Sequence, residues 1–202
     1  MFLDAVEFSR NIWEGLKAKA KEKGLNYIFD LDSNKSGEKM LSPVYFIRAD
    51  RDHLQEVLDN LFDNAIKYTP QGEVSVSVSG DNENVRISVK DSGIGIPAED
   101  IPHLFQKFYR VDTSETREIG GTGLGLFLSR KLVESMDGKL DVTSEYQKGS
   151  VFTVQLPRLT REQAEKFKSE EQLKVAKPEV KDEIFGDGIS FEDNQLIKSI
   201  QQ

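Results

Sequence analysis

The chain has no cysteine, which excludes disulfides and thiolate catalysis and fits a reducing compartment such as the cytoplasm. It has no apolar run approaching the length of a membrane span, and its N-terminus lacks the pattern of a signal peptide. Positive charge is in deficit: the net charge is −8, which argues against a nucleic-acid or anionic-membrane surface. Histidine is scarce, with only His53 and His103. What remains is 202 residues, enough for one well-buried domain with some chain to spare.

Periodicity divides the chain into short elements. Residues 2–21 read as an amphipathic helix with Val6, Ile12, Trp13 and Leu16 as core contacts, and Gly24 ends it. Leu25–Leu31 alternates as a strand, residues 32–37 form a polar loop, and Val44–Ala49 gives a second strand. Asp52–Tyr68 reads as a helix whose core stripe is Leu54, Val57, Leu58, Leu61 and Ala65. Val74, Val76 and Val78 alternate with serines, a hairpin at Gly80–Asn84 follows, and Val85–Val89 forms its second strand. A short helix is expected over Ala98–Phe108 and an apolar one over Phe127–Met136, before a closing hairpin of Lys139–Ser144 and Ser150–Leu156. The expected fold is an α/β two-layer sandwich, one layer of helices on a mixed, mainly antiparallel sheet. From Thr160 the chain turns Glu- and Lys-rich, so residues 1–159 are expected as the domain and 160–202 as a solvated extension.

Three segments concentrate chemistry. On the second helix Asn60, Asn64 and Lys67 follow at steps of four and three, which stacks them on one face. An amide oxygen suits Mg²⁺ and a lysine ammonium suits phosphate. In Asp91-Ser92-Gly93-Ile94-Gly95, a carboxylate ends a strand where it can accept a hydrogen bond from an adenine amino group, and the glycines let backbone pass close to a flat base. Gly120-Gly121-Thr122-Gly123-Leu124-Gly125 runs into the apolar helix expected over Phe127–Met136. Loop glycines before a helix N-terminus present free N–H groups and a positive dipole end to polyphosphate, and Thr122 adds a hydroxyl.

With these motifs in this order, the chain resembles the catalytic, ATP-binding domain of sensor histidine kinases, within the superfamily that includes gyrase, Hsp90 and MutL. Asn60–Tyr68 is similar to the family's N box, Asp91–Gly95 to its D-x-G-x-G box and Gly121–Gly125 to its G-x-G-x-G box. Phe105–Arg110 is similar to the F box of the kinases, and the resemblance covers roughly residues 2–159. It implies the Bergerat-type ATP-binding sandwich, ATP and Mg²⁺ as cofactors, and Asp91 as the reader of adenine. It further implies that Asn64 ligates Mg²⁺, that Lys67 contacts phosphate, and that Tyr68 lies along the adenine. Gly93, Gly95, Gly121, Gly123, Leu124 and Gly125 would act through backbone geometry. Val111–Gly120 would be a lid over ATP; Phe105 and Phe108 would anchor it by packing, and Arg110 or Arg117 would reach the γ-phosphate.

One position separates kinase from hydrolase. Where gyrase- and Hsp90-like relatives carry a water-activating Glu, this chain has Asn60, which cannot act as a general base near neutral pH. That disfavours a clamp-type ATPase and an anti-sigma serine kinase. A histidine acceptor needs less help, because neutral imidazole is already nucleophilic. Neither His53 nor His103 has the sequence context of a phosphoacceptor, so the resemblance implies a separate phosphoacceptor domain and, downstream, a response regulator as partners. The expectation is a fragment or stand-alone module acting in trans, monomeric without the dimerising hairpin, located in the cytoplasm or as the cytoplasmic part of a membrane-bound sensor. A non-catalytic, nucleotide-responsive binding module is the alternative.

Overall fold

The computed structural model describes residues 1–31, 43–113 and 120–166. Their order is β1 (Phe2–Asp4), α1 (Ala5–Glu22), β2 (Asn26–Leu31), β3 (Phe46–Arg48), α2 (Arg51–Lys67), β4 (Glu73–Gly80), β5 (Asn84–Asp91), α3 (Gly125–Ser135), β6 (Lys139–Glu145) and β7 (Gly149–Pro157). Five strands form one sheet in the order β2-β4-β5-β7-β6. β2 runs parallel to β4 and every other pair in that sheet is antiparallel. Val74, Val76, Val78, Val85, Ile87, Val89, Val154 and Leu156 are all buried, as a two-residue period on one covered face requires. The other face carries hydroxyls, with Ser88 Oγ and Thr153 Oγ1 3.1 Å apart across β5 and β7.

The helices supply the second layer. Asp50 caps α2, its carboxylate accepting from the backbone N–H groups of Asp52 and His53, both at 3.0 Å. Leu54, Val57, Leu58, Leu61, Phe62, Ala65 and Ile66 then bury one face of α2. At its other end Lys23 Nζ donates to the carbonyls of Ile66 at 2.8 Å and Lys67 at 3.0 Å, a cationic cap from outside the helix. Trp13 of α1 stacks on Tyr27 with ring centroids 3.5 Å apart and meets Phe62 edge-on at 5.1 Å.

Three expectations need correction. Residues 2–4 are not helical: Phe2–Asp4 pairs antiparallel with β3, and the helix starts only where the Asp4 carboxylate accepts from the Val6 N–H at 2.9 Å. The second strand is confined to Phe46–Arg48 and belongs to that separate two-stranded sheet. Over residues 98–108 the only helical backbone is a 3₁₀ turn at Ile101–His103, because Pro102 sits at its start and lacks the N–H that would extend a helix. The polar loop at 32–37 lies outside the described residues. Past residue 159, backbone at 161–166 is helical, with Gln163 N–H donating to Thr160 Oγ1 at 3.2 Å and Ala164 buried.

Phe62 bridges α2 to the Trp13–Tyr27 stack, so truncating it opens a cavity at the junction of both helices. Phe62→Ala is expected to lower unfolding stability by about 3–5 kcal/mol. Urea denaturation followed by the fluorescence of Trp13, the only tryptophan, reads this directly; an unchanged midpoint would show that the contact carries no weight.

Candidate functional site

A cleft of about 290 Å³ lies between α2, the end of β5 and the segment leading into α3. Its floor follows from sheet parity. Val85, Ile87 and Val89 point under the helices, so Asp91, two residues on, points the same way. Asp91 is 6% exposed. It accepts from the backbone N–H of Gly93 at 2.9 Å and from that of Ser150 on the paired strand β7. Burial raises its pKa above the ordinary carboxylate range, and those two hydrogen bonds only partly oppose the rise. Apolar Ala65, Ile96, Leu104, Leu126 and Phe152 line the space beside it. A desolvated acceptor among apolar side chains is suited to one exocyclic amino group on a flat heterocycle.

The mouth of the cleft is polar. Asn60, Asn64, Lys67 and Tyr68 of α2 line it together with Arg110, Gly121, Thr122, Gly123 and Gly125. Asn64 Nδ2 donates to Asn60 Oδ1 at 3.3 Å, and Asn60 Nδ2 donates to Ser129 Oγ of α3 at 2.9 Å. Lys67 Nζ donates to the carbonyl of Gly120 and lies 5.5 Å from the Tyr68 ring centroid. Tyr68 ends α2; burial raises the pKa of its phenol, while the nearby positive charge of Arg110 opposes that rise. The N-cap of α3 is Leu124, which provides no side-chain cap, so the first-turn amides of α3 are left to other acceptors. Thr122 Oγ1 accepts from the Leu124 N–H at 3.4 Å.

The glycines divide by cause. Gly95 and Gly123 have φ of 62° and 72°, where other residues are strained. Gly93 is required by proximity instead, since a Cβ there would lie 2.2 Å from the Tyr68 carbonyl oxygen. Gly125 likewise faces Asn60, with 2.6 Å between a Cβ and Oδ1. Gly121 has room, its nearest neighbour being Lys67 Nζ at 3.6 Å. Neither Gly93 nor Leu124 is among the residues lining the cleft. Arg117 lies outside the described residues, as does most of the expected lid.

Phe105 packs against the core with the Arg130 guanidinium 4.9 Å from its ring. Phe108 does the opposite of what its spacing suggests. It has φ 63° and its side chain is 71% exposed instead of packed in the core. Its backbone N–H donates to the Gly123 carbonyl at 3.0 Å, which ties the backbone there to the glycine loop before α3. Sequence reasoning also passed over Ser129, Ser150 and Phe152. No local pattern marks them, because each enters the site only through the pairing of distant elements.

Comparisons with known proteins agree with this geometry. Residues 49–160 match the family described as "Histidine kinase-, DNA gyrase B-, and HSP90-like ATPase". The chain is 43% identical to the sensor histidine kinase WalK of Bacillus subtilis over 55% of its own length and 19% of WalK. It is 40% identical to the circadian input-output histidine kinase CikA of Synechococcus elongatus over 72% of its length and 18% of CikA. The chain thus spans less than a fifth of these curated relatives. Among solved structures, the catalytic domain of histidine kinase ThkA superposes with a TM-score of 0.63 at 28% identity, covering 78% of this chain and 97% of that one. Full-length ShkA in complex with AMPPNP gives a TM-score of 0.62 at 28% identity, over 79% of this chain and 31% of ShkA. The chain belongs to the histidine kinase-, DNA gyrase B- and HSP90-like ATPase family, and it is similar within that family to the ATPase domains of sensor histidine kinases.

Proposed function

We propose that this domain binds Mg-ATP and transfers the γ-phosphate to a histidine carried by a separate helical acceptor. The observation that carries the reading is the buried, hydrogen-bonded carboxylate of Asp91 at the floor of a cleft whose mouth holds Asn64, Lys67 and Arg110. The carboxylate accepts from the adenine amino group, while the apolar walls take the base and exclude water. Lys67 and the amides at the start of α3 hold the phosphates, and Arg110 adds a planar fork beside them.

The donor set fits a magnesium ion that arrives with nucleotide. Among the described residues no group of three His, Cys, Asp or Glu could hold a metal unaided. Mg²⁺ is commonly held by few protein oxygens and completed by phosphate and water, and the Asn64 carbonyl oxygen is the protein oxygen for it here. When bound, the ion offsets negative charge on the phosphates.

In the transfer, an acceptor imidazole nitrogen attacks the γ-phosphorus and the bond to the bridging oxygen breaks. ADP leaves with the electron pair, and the phosphorylated imidazolium gives the proton on its other nitrogen to solvent. Nothing in the cleft needs to take a proton from water: both polar atoms of Asn60 are engaged, one by Ser129 and one by Asn64. Phosphotransfer is therefore favoured over hydrolysis. The acceptor has a landing surface beside the mouth, where Phe108 and Leu128 are 71% and 42% exposed and Leu124 is exposed between them. Leu124 and Leu128 share a face of α3 one turn apart, which suits packing against another helix.

Asp91→Asn should separate binding from folding. A carboxylate whose folded pKa is raised binds more protons folded than unfolded, so stability falls as pH climbs through that raised value and the ionised form is a burden at neutral pH. The neutral amide keeps the acceptor for Gly93 but offers an N–H toward the adenine amino group. The expected result at pH 7 is a melting temperature equal to or above that of the parent, with ATP and ADP binding weakened at least tenfold by calorimetry. A variant that melts lower yet still binds would contradict both halves of the argument.

Phe108→Ser combined with Leu128→Ser should leave ATP affinity within about twofold and cut phosphotransfer to an isolated acceptor hairpin by tenfold or more. Radiolabelled γ-phosphate measures it. A chain that binds ATP but phosphorylates no acceptor would favour a nucleotide-responsive binding module.

A further inference from the structure

The hydrogen bonds at the mouth of the cleft form a directed chain. Ser129 Oγ accepts from Asn60 Nδ2 at 2.9 Å, and Asn60 Oδ1 accepts from Asn64 Nδ2 at 3.3 Å. An amide has one donor end and one acceptor end, so each link fixes the orientation of the next. With its Nδ2 committed to Asn60, Asn64 turns Oδ1, its only other polar side-chain atom, away from that bond. If Asn60 were reversed, its amino group would face that of Asn64, donor against donor. Asn64 is thus linked through Asn60 to a hydroxyl on another helix.

Ser129 is well placed for this task. It is 2% exposed, so water does not compete for its oxygen. Its oxygen accepts from Asn60 Nδ2, which ties the second turn of α3 to α2. Gly125 and Ser129 lie four residues apart on one face of α3, and Asn60 touches both: a Cβ on Gly125 would lie 2.6 Å from Asn60 Oδ1. The first two turns of α3 therefore clasp Asn60 from two sides.

We infer that Ser129 is a positioning residue, which through Asn60 aims the Asn64 carbonyl oxygen at the nucleotide-borne metal and links the seating of α3 to metal-assisted nucleotide binding. The inference rests on the proposed Mg-ATP reading of the cleft. It assigns Asn60 an orienting role, with Ser129 as the origin of that orientation.

The test compares Ser129→Ala with the parent chain in two measurements. Calorimetry with ADP, in Mg²⁺ and in EDTA, separates metal-linked from metal-free affinity. The side-chain amide resonances of Asn60 and Asn64 in nitrogen–proton spectra report their hydrogen bonding without nucleotide. The expected result is a three- to tenfold loss of affinity in Mg²⁺, change within twofold in EDTA, and shifted amide resonances of both asparagines. Equal weakening with and without metal would reduce Ser129 to a packing residue and overturn the inference. So would an Asn64 resonance that stays put in the variant. If the parent chain binds no nucleotide at all, the reading of the cleft falls and takes this inference with it, whereas normal binding by the parent with no metal-specific loss in the variant sinks the inference alone.

Discussion

The seven-residue apolar face of α2 is the constraint on which the rest of the structure depends. Leu54, Val57, Leu58, Leu61, Phe62, Ala65 and Ile66 can all be buried only if the helix lies flat on the sheet in one rotational setting. That setting leaves Asn60, Asn64 and Lys67 on the flank toward α3, and the Asp50 cap and the Lys23 cap hold the helix lengthwise. Rotating α2 by a single residue would expose leucines and withdraw the polar row from the cleft. Packing energy, largely hydrophobic and indifferent to chemistry, thereby fixes the position of groups that are chemically specific.

The floor of the cleft works by a different balance. Asp91 ends an inward row of valine and isoleucine, and the sheet brings in Ser150 beside it through the register of β5 and β7. Desolvation penalises the carboxylate, and two backbone N–H groups offset part of that penalty. The domain keeps a group that its core would reject, a pattern characteristic of sites maintained for binding rather than stability.

Much of this was legible in the sequence, and the exceptions have identifiable causes. The alternation of Val74, Val76 and Val78 and the spacing of Leu54, Leu58, Leu61 and Ala65 are local signals, and the structure follows them. Phe2–Asp4 misled because three residues with an apolar centre fit a helix start as well as a strand; only Phe46, with its ring 4.6 Å from that of Phe2, decides between them. The stretch 98–108 is not one helix because Pro102 has no N–H to bond the Ala98 carbonyl, a signal that stands in the sequence. Phe108 looked like a core residue by type and spacing, and its positive φ could not be read from its neighbours. Ser129 carries no signal at all, being one serine in a helix until α3 meets α2.

The pairing of β2 with β4 bears on the order in which the domain can assemble. β4, β5, β7 and β6 join by antiparallel contacts, and β4 meets β5 and β6 meets β7 through tight turns. β2 instead pairs in parallel with a strand that begins only after α2 is complete, Asn26 opposite Glu73. As the chain leaves the ribosome, the Asn26–Leu31 strand emerges first and finds no partner until α2 and β4 have followed. During that interval Trp13 of α1, close in sequence to Tyr27, can stack on the strand before its sheet partner has been made, so the aromatic pair gives the strand cover that needs no distant segment.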